Sequence, residues 1–259
     1  IEDIAVVIID HREILLSLHT INKLTENKVA VVFCDDTHHP SSLLLPLDAN
    51  QVQSERFRHQ TEESAPLKKQ LWQHTVKTKI RNQAQLFKIL GKNDEALRRY
   101  ATQVLSGDTT NEEAQASRHY WGNRFSEHKV EFRRERVGMP PNNLLNYGYA
   151  ILRAAVARSL AGSGLLPTLG IHHRNKYNAY CLADDIMEPY RPWVDRAVWE
   201  IMRDYPDYHV LTKEIKARLL GIVHQDVDFG DRTSPMLVGL SHTTASLSRC
   251  YSGEDNQIK

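Results

Sequence analysis

Two kinds of hydrophobic pattern meet near residue 50. Before that point, runs rich in Val and Ile at residues 4–9 and 29–33, and a third apolar run at residues 43–47, are typical of short strands. Between the first two runs, apolar residues recur at helical spacing over residues 13–27. The pattern predicts a small N-terminal β-domain, residues 1–50, that carries one helix.

A helical period continues through the rest of the chain. One long helix is predicted to begin at Pro66 and to keep an apolar face as far as Leu90. A second helix is predicted from Leu145 to Leu160, ended by the glycines that follow, and two more about residues 194–202 and 215–223. We therefore predict an α+β fold in which residues 51–259 form a larger, all-helical domain.

Composition narrows the classes of protein to consider. Of 259 residues, 41% are apolar and 25% are charged, as in ordinary globular proteins. Lys and Arg (33) nearly balance Asp and Glu (32), so a nucleic-acid partner would have to meet a local basic face. The three cysteines form no CxxC pair, which favours a reducing compartment such as the cytoplasm. No apolar run approaches the roughly 20 residues that span a bilayer, so no membrane partner is expected, while a targeting segment removed before Ile1 stays open.

The most concentrated polar stretch is residues 169–192. If residues 183–188 are helical, Asp185 and Glu188 share one face, and Asp184 reaches the same face. Hard oxygen ligands with an imidazole nearby suit Mg²⁺ or Mn²⁺ better than a structural zinc ion. The alternative is that Asp184 and Asp185 only favour a helix start, and Pro189 opposes helical geometry at Glu188.

Glu113 and the basic residues also have two interpretations. Thr110 and Glu113 fit a capping box, in which Glu113 would only bond the backbone of Thr110, yet the same helix stripe carries aromatic residues. Asn146 is a polar residue within an apolar helix and needs a partner, which would let it orient metal ligands. Cationic residues interleaved with aromatics fit phosphate contact as well as solvated surface; they are Arg118, Arg124, Lys129, Arg133, Arg134, Arg136, Arg174, Lys176 and Arg191.

Several of these segments together resemble the adaptation integrases of CRISPR systems, the Cas-one family, and most closely its type II branch. The resemblance is carried by IEDIAVVIID (1–10), VAVVFCDD (29–36), LLLPL (43–47), QSERF (53–57), TNEEAQAS (110–117) followed by Tyr120 and Trp121, LLNYGYAILR (144–153) and the whole of residues 169–192. It spans most of the chain in order, and the last two motifs are specific rather than compositional.

The resemblance implies a catalytic site in the helical domain. In this family a Glu before the LNYGY segment, a His after it and a carboxylate on the next helix bind Mg²⁺ or Mn²⁺, and these match Glu113, His173 and Glu188. His173 is preferred to His172 because the family's His immediately precedes the residues that match Arg174 and Asn175. By the same resemblance, Asp185 matches a nearby acidic position and is expected to be a supporting ligand. The residue pattern makes Arg174, Lys176, Tyr177 and Arg191 candidate DNA contacts, and Asn146 and Tyr149 candidates for shaping the site.

The implied activity is the insertion of captured DNA fragments into a CRISPR repeat by attack of a 3′-hydroxyl on a phosphodiester. The implied partners are DNA, a second copy of the chain joined through the β-domains, and a dimer of the smaller Cas-two protein. An effector nuclease and accessory adaptation proteins stay open. Family members carry further strands before the position of Ile1. Two rivals stay open, a stand-alone metal-dependent nuclease and a DNA-binding scaffold without catalysis.

Overall fold

A computed structural model of the chain describes residues 2–36, 40–128, 132–135, 138–230 and 232–259. Two of the basic residues named above, Lys129 and Arg136, lie outside the described residues.

The N-terminal strands form one three-stranded sheet in the order β1 (Val6–Ile9), β2 (Ala30–Cys34) and β3 (Pro40–Leu44). β1 and β2 are parallel, and the helix α1 (Leu18–Glu26) crosses between them, as parallel neighbours require. β2 and β3 are antiparallel. β3 begins three residues earlier than the apolar run at residues 43–47 indicated, because Pro40 already pairs with Cys34.

The two faces of this sheet pack against two different hydrophobic clusters. Val29 and Val31 pack with Leu24 of α1 in a small cluster. Val6 and Ile8 of β1 lie on the opposite face of the sheet and pack against the main core. The sheet therefore lies against the helical part of the chain.

The remaining helices follow the predicted apolar faces and add some that the pattern did not reveal. They are α2 (Gln53–Thr61), α3 (Ala65–Ile89), α4 (Glu95–Gln103), α5 (Glu112–Arg124), α6 (Asn142–Gly162), α7 (Cys181–Met187), α8 (Arg191–Asp204), α9 (Lys213–Leu220) and α10 (Met236–Ser252).

α3 and α6 form the centre of the main core. α3 begins at Ser64, whose side chain accepts a hydrogen bond from the backbone of Leu67, with Pro66 in the first turn. α6 buries residues on nearly all sides and ends before Gly164, which takes a positive φ of 75°. These two helices support α5, α7 and α8, which carry the polar residues described below.

The expectation that residues 51–259 are all helical was wrong in one place. A short hairpin of β4 (Asp226–Asp228) and β5 (Thr233–Pro235) precedes α10. Strands of three residues carry too little alternation to be seen in the sequence. The chain is mostly helical with a small strand-containing region, and the division at residue 50 stays a prediction.

Among the described residues, no helix is both long and apolar enough to cross a membrane.

Candidate functional site

Four segments meet at the polar centre of the helical part. Glu113 lies in the first turn of α5, and Lys79 lies in the middle of α3. Glu188 begins a short 3₁₀ turn (Glu188–Tyr190) that links α7 to α8. His173 lies in the loop that leads into α7.

Lys79 joins the two glutamates. Its Nζ lies 2.7 Å from Oε2 of Glu188 and also contacts Oε1 of Glu113. The Ser117 hydroxyl donates to the same Glu113 oxygen at 3.0 Å. Only 10% of the Lys79 side chain is exposed, so one buried ammonium bridges two carboxylates that are distant in sequence.

Electrostatics in this cluster favour the charged forms. Burial acts to raise the pKa of Glu188, but attraction by Arg191 and Lys79 outweighs it and lowers this pKa to about 2. Burial likewise acts to raise the pKa of Glu113, and Lys79 lowers it overall. Burial acts to lower the pKa of Lys79, but Glu188 and Glu113 raise it. Both carboxylates are therefore ionised, as metal ligands must be.

The chain holds Glu188 in place despite the proline that follows it. Glu188 keeps right-handed helical angles (φ −53°, ψ −46°), and α8 begins directly after the 3₁₀ turn. The Nε of Arg191 lies 2.9 Å from Oε1 of Glu188, one turn away. The chain thus accommodates Pro189 by changing from an α-helix to a short 3₁₀ turn, and Glu188 keeps its helical geometry.

His173 is oriented by Asp185. The Nδ1 of His173 lies 2.5 Å from Oδ1 of Asp185, and this carboxylate also accepts the backbone N–H groups of His172 (2.9 Å) and His173 (3.3 Å). The hydrogen bond with Asp185 raises the pKa of His173 against the opposing effect of burial, and Glu188 adds to the rise. Nδ1 is engaged by Asp185, so Nε2 is the ring nitrogen left for a further ligand.

The neighbouring His172 has a different environment. Its ring stacks on Trp72, with centroids 4.1 Å apart and planes 2° apart, whereas His173 meets Trp72 edge-on. Burial lowers the pKa of His172. The two histidines thus differ in their partners, Asp185 for His173 and Trp72 for His172.

The capping-box alternative for Glu113 was wrong. α5 begins at Asn111, which has a left-handed φ of 58° and makes no side-chain cap. Asp108 accepts the backbone N–H groups of Glu112 and Glu113 instead, at 2.9 and 3.1 Å. The Glu113 side chain is thereby left to Lys79 and Ser117.

Asp184 does not share its face with the other two carboxylates. Its oxygens accept hydrogen bonds from Arg153 Nε and Asn178 Nδ2, both at 2.7 Å. Asp185 turns to His173 and Glu188 to Lys79, so the three acidic residues of this segment have separate partners.

The predicted DNA contacts fall into two groups. Arg174, Lys176 and Tyr177 are exposed in the loop after His173, and the Tyr177 side chain is 85% exposed with Lys176 over its ring. Arg191 is half-buried and paired with Glu188, so its first role in the structure is within the site.

The two residues predicted to shape the site lie behind Arg191. Asn146 accepts from Arg134 at 2.7 Å, which is the partner that its position in α6 required. The ring of Tyr149 lies under the guanidinium of Arg191, 4.6 Å from centroid to Cζ.

Sequence reasoning missed a buried carboxylate that hydrogen-bonds to Tyr149. Asp195 of α8 accepts the hydroxyls of Tyr120 (2.6 Å) and Tyr149, and the fully buried Arg124 donates to its backbone carbonyl. Lys79 was missed as well, because its burial is visible only in the structure. Thr75, Lys79 and Gln83 are spaced four residues apart, and all three are buried.

Gly170 is required by the loop that carries His173. A Cβ atom there would lie 2.4 Å from the His173 carbonyl oxygen and 2.9 Å from Oδ2 of Asp185. We expect Gly170→Ala to lower the free energy of unfolding by about 1–3 kcal/mol, because backbone must move. Thermal denaturation tests this, with Gly122→Ala of α5 as the control, since a Cβ there meets nothing within 4 Å. Equal stability of both variants would contradict the tight loop.

The residues present suit a divalent cation by their chemistry. Two carboxylates already contact one cationic atom, and an imidazole with an engaged Nδ1 lies near Glu188. Within the part of the chain that the structure describes, no group of three or more His, Cys, Asp and Glu side chains is close enough to hold a metal ion as placed. Two of the three predicted ligands, Glu113 and Glu188, contact Lys79, and the third, His173, lies near Glu188.

Comparison with known proteins identifies the family. The family model described as "CRISPR associated protein Cas1" matches residues 1–206. The "CRISPR-associated endonuclease Cas1" of Neisseria meningitidis serogroup C (strain 8013) is 40% identical over 229 residues, which are 88% of this chain and 74% of that protein.

Two solved structures share the fold. A structure described as a casposase bound to integration product matches with a TM-score of 0.79 at 18% identity, over 99% of this chain and 81% of that one. A Cas6-RT-Cas1–Cas2 complex matches with a TM-score of 0.73 at 22% identity, over 98% of this chain and 32% of that one. On the sequence match, this chain belongs to the CRISPR-associated Cas1 family.

Proposed function

We propose that this chain is a metal-dependent DNA integrase and endonuclease that inserts captured DNA fragments into a CRISPR repeat. The observation that carries the proposal is the meeting of Glu113 and Glu188 on one cationic atom, beside an imidazole that Asp185 orients. Glu188 is buried and Glu113 is partly buried, and both contact the same lysine although they lie far apart in the sequence.

Glu113, Glu188 and the Nε2 of His173 would hold Mg²⁺ or Mn²⁺. When bound, such an ion neutralises charge that develops on a phosphodiester and favours ionisation of the attacking or leaving hydroxyl. Asp185 holds His173 in one orientation and uses both of its oxygens to do so, so we assign it a positioning role rather than that of a ligand.

The protein also has to hold the DNA. Arg174, Lys176 and Tyr177 lie exposed directly after His173 and would contact phosphates and stack on a base next to the ion. Arg191 is tied to Glu188 and Tyr149, and we propose that it keeps Glu188 aimed at the ion.

The reaction explains the expected assembly. One site carries out one strand attack, so joining both ends of a fragment needs two sites at a fixed separation. A homodimer of this chain on each side of a Cas2 dimer would supply them. The proposal draws support from the Cas1–Cas2 assembly and from the integration product named for the structural neighbours. An effector nuclease and accessory proteins would select the fragments.

A strand-transfer assay tests the proposal. We expect a labelled fragment with free 3′-hydroxyls to join a repeat-containing duplex only when Mn²⁺ or Mg²⁺ and Cas2 are both present. Hydrolysis of plain DNA at the same rate without Cas2 would favour the stand-alone nuclease. Unchanged DNA binding and no reaction under any condition would favour the scaffold.

A crystal soaked in Mn²⁺ tests the site itself. Anomalous density in contact with Glu113, His173 and Glu188 is the expected result. Density elsewhere, in crystals of active protein, would move the reaction away from these residues.

A further inference from the structure

Lys79 occupies the point where the two proposed metal ligands meet. Its Nζ faces Oε2 of Glu188 and Oε1 of Glu113. A metal ion held between the two carboxylates would therefore compete with this ammonium for them.

The burial of Lys79 makes this arrangement a fixed part of the site. The residue is 8% exposed, in line with the buried Thr75 and Gln83 on α3. A buried ammonium is costly unless it is paired, and here both partners are carboxylates. The two carboxylates in turn repel each other, and Glu188 acts to raise the pKa of Glu113.

A metal ion that entered this cluster would be repelled by the Lys79 ammonium. An ammonium and a divalent ion that contact the same pair of oxygens would repel each other strongly at a separation of a few ångström. The flexible four-carbon stem of a lysine lets its ammonium move while the backbone of α3 stays in place.

We propose that Lys79 is the resident counter-cation of Glu113 and Glu188, and that a divalent metal ion enters the site by exchange with its ammonium. The inference rests on the proposed function of these two carboxylates as metal ligands. Lys79 is thus a positioning residue that holds the pair together before the ion arrives, and it weakens the binding of that ion.

The test is Mn²⁺ binding to the full chain, measured by calorimetry and by Mn²⁺ electron paramagnetic resonance without DNA. We expect Lys79→Met to bind Mn²⁺ more tightly than the wild type by roughly tenfold or more, because one competing charge is gone. Lys79→Gln, which keeps N–H donors without the charge, should show the same direction and serves if the Met variant does not fold.

Stability provides a second measurement. Without metal, Lys79→Met should melt roughly 6 °C or more below the wild type, because Glu113 loses its cation and the buried Glu188 is left with Arg191. Addition of Mn²⁺ should raise its melting temperature more than that of the wild type.

Lys216 provides the matched control. It pairs with Asp10 at 2.6 Å, with 19% of its side chain exposed, and joins α9 to the end of β1. Lys216→Met removes the same charge from the chain and should leave Mn²⁺ affinity unchanged.

Two outcomes separate the inference from the function on which it rests. If Mn²⁺ binding is lost in Glu113→Gln and His173→Ala but is also weaker in Lys79→Met, Lys79 assists the ion and the exchange is refuted, while the metal site stands. If neither the wild type nor Lys79→Met binds Mn²⁺, the metal site is refuted, and the exchange with it.

Discussion

Glu188→Gln should reduce strand transfer by roughly 10²–10³-fold or more and lower the free energy of unfolding by about 3–5 kcal/mol. The loss of activity follows from removing a charged ligand at the point where phosphate charge develops. The loss of stability follows because Lys79 and Arg191 are paired with Glu188, which is 6% exposed. Strand transfer, measured below the melting temperature of the variant, and chemical denaturation check the two effects.

The pH dependence of stability provides a further test of the Glu188→Gln prediction. The pKa of Glu188 is about 2 in the folded chain, below the usual 4.5. Its ion pairs therefore stabilise the fold above about pH 4.5, and this contribution is lost as the pH falls towards 2. The stability difference between wild type and Glu188→Gln should shrink in acid.

Asp10→Asn is the matched control for Glu188→Gln. Asp10 also pairs with a lysine, and 13% of its side chain is exposed. We expect a loss of stability with strand transfer retained. If Asp10→Asn lost as much activity as Glu188→Gln, unfolding rather than ligand loss would explain both.

Periodicity in the sequence was sufficient for the main elements of the fold. The apolar face from Leu67 to Leu90 predicted α3, and the face from Leu145 to Leu160 predicted α6, to within a few residues of Ala65–Ile89 and Asn142–Gly162. These helices bury long apolar stripes, and that burial dominates their stability. The helix α4 went unseen; it buries only two residues, Leu97 and Ala101.

The cluster around Lys79 shows the limit of sequence reasoning. A lysine inside a helix is normally solvated, so nothing local indicates that Lys79 is buried. Its burial depends on Glu113 and Glu188, which only the packing of α5 and the α7–α8 junction against α3 brings near. The same holds for Asp195, whose partners Tyr120 and Tyr149 lie on other helices.

Local rules also compete with one another, and the sequence alone does not rank them. The Thr110–Glu113 spacing fits a capping box, but Asn111 is the residue that precedes the helix, and Asp108 accepts the backbone N–H groups of Glu112 and Glu113. Pro189 argues against a helical Glu188, yet a 3₁₀ turn accommodates it. Both outcomes leave a glutamate side chain available to Lys79.

Asp185→Asn should weaken Mn²⁺ binding and strand transfer by roughly 10–100-fold, as loss of a carboxylate that orients a metal-binding imidazole typically does. Asp185 is fully buried and accepts three N–H groups, from His172, from His173 and from the His173 ring. An asparagine side chain has one acceptor oxygen, and its amide would face an N–H donor. The imidazole would then lose the bond that fixes Nδ1.

The pH dependence separates loss of orientation from general damage to the loop. Asp185 raises the pKa of His173 above 6.5, so the bond stabilises the fold fully below about pH 6.5 and loses this contribution as the pH rises through the raised pKa. The melting-temperature difference between wild type and Asp185→Asn should therefore be larger in mild acid than in alkali. Protons compete with metal for Nε2, so Mn²⁺ affinity of the wild type should also fall in mild acid, and in Asp185→Asn that fall should move to lower pH. A difference in melting temperature that is constant across this range, with Mn²⁺ affinity unchanged, would mean that Asp185 supports the loop backbone alone.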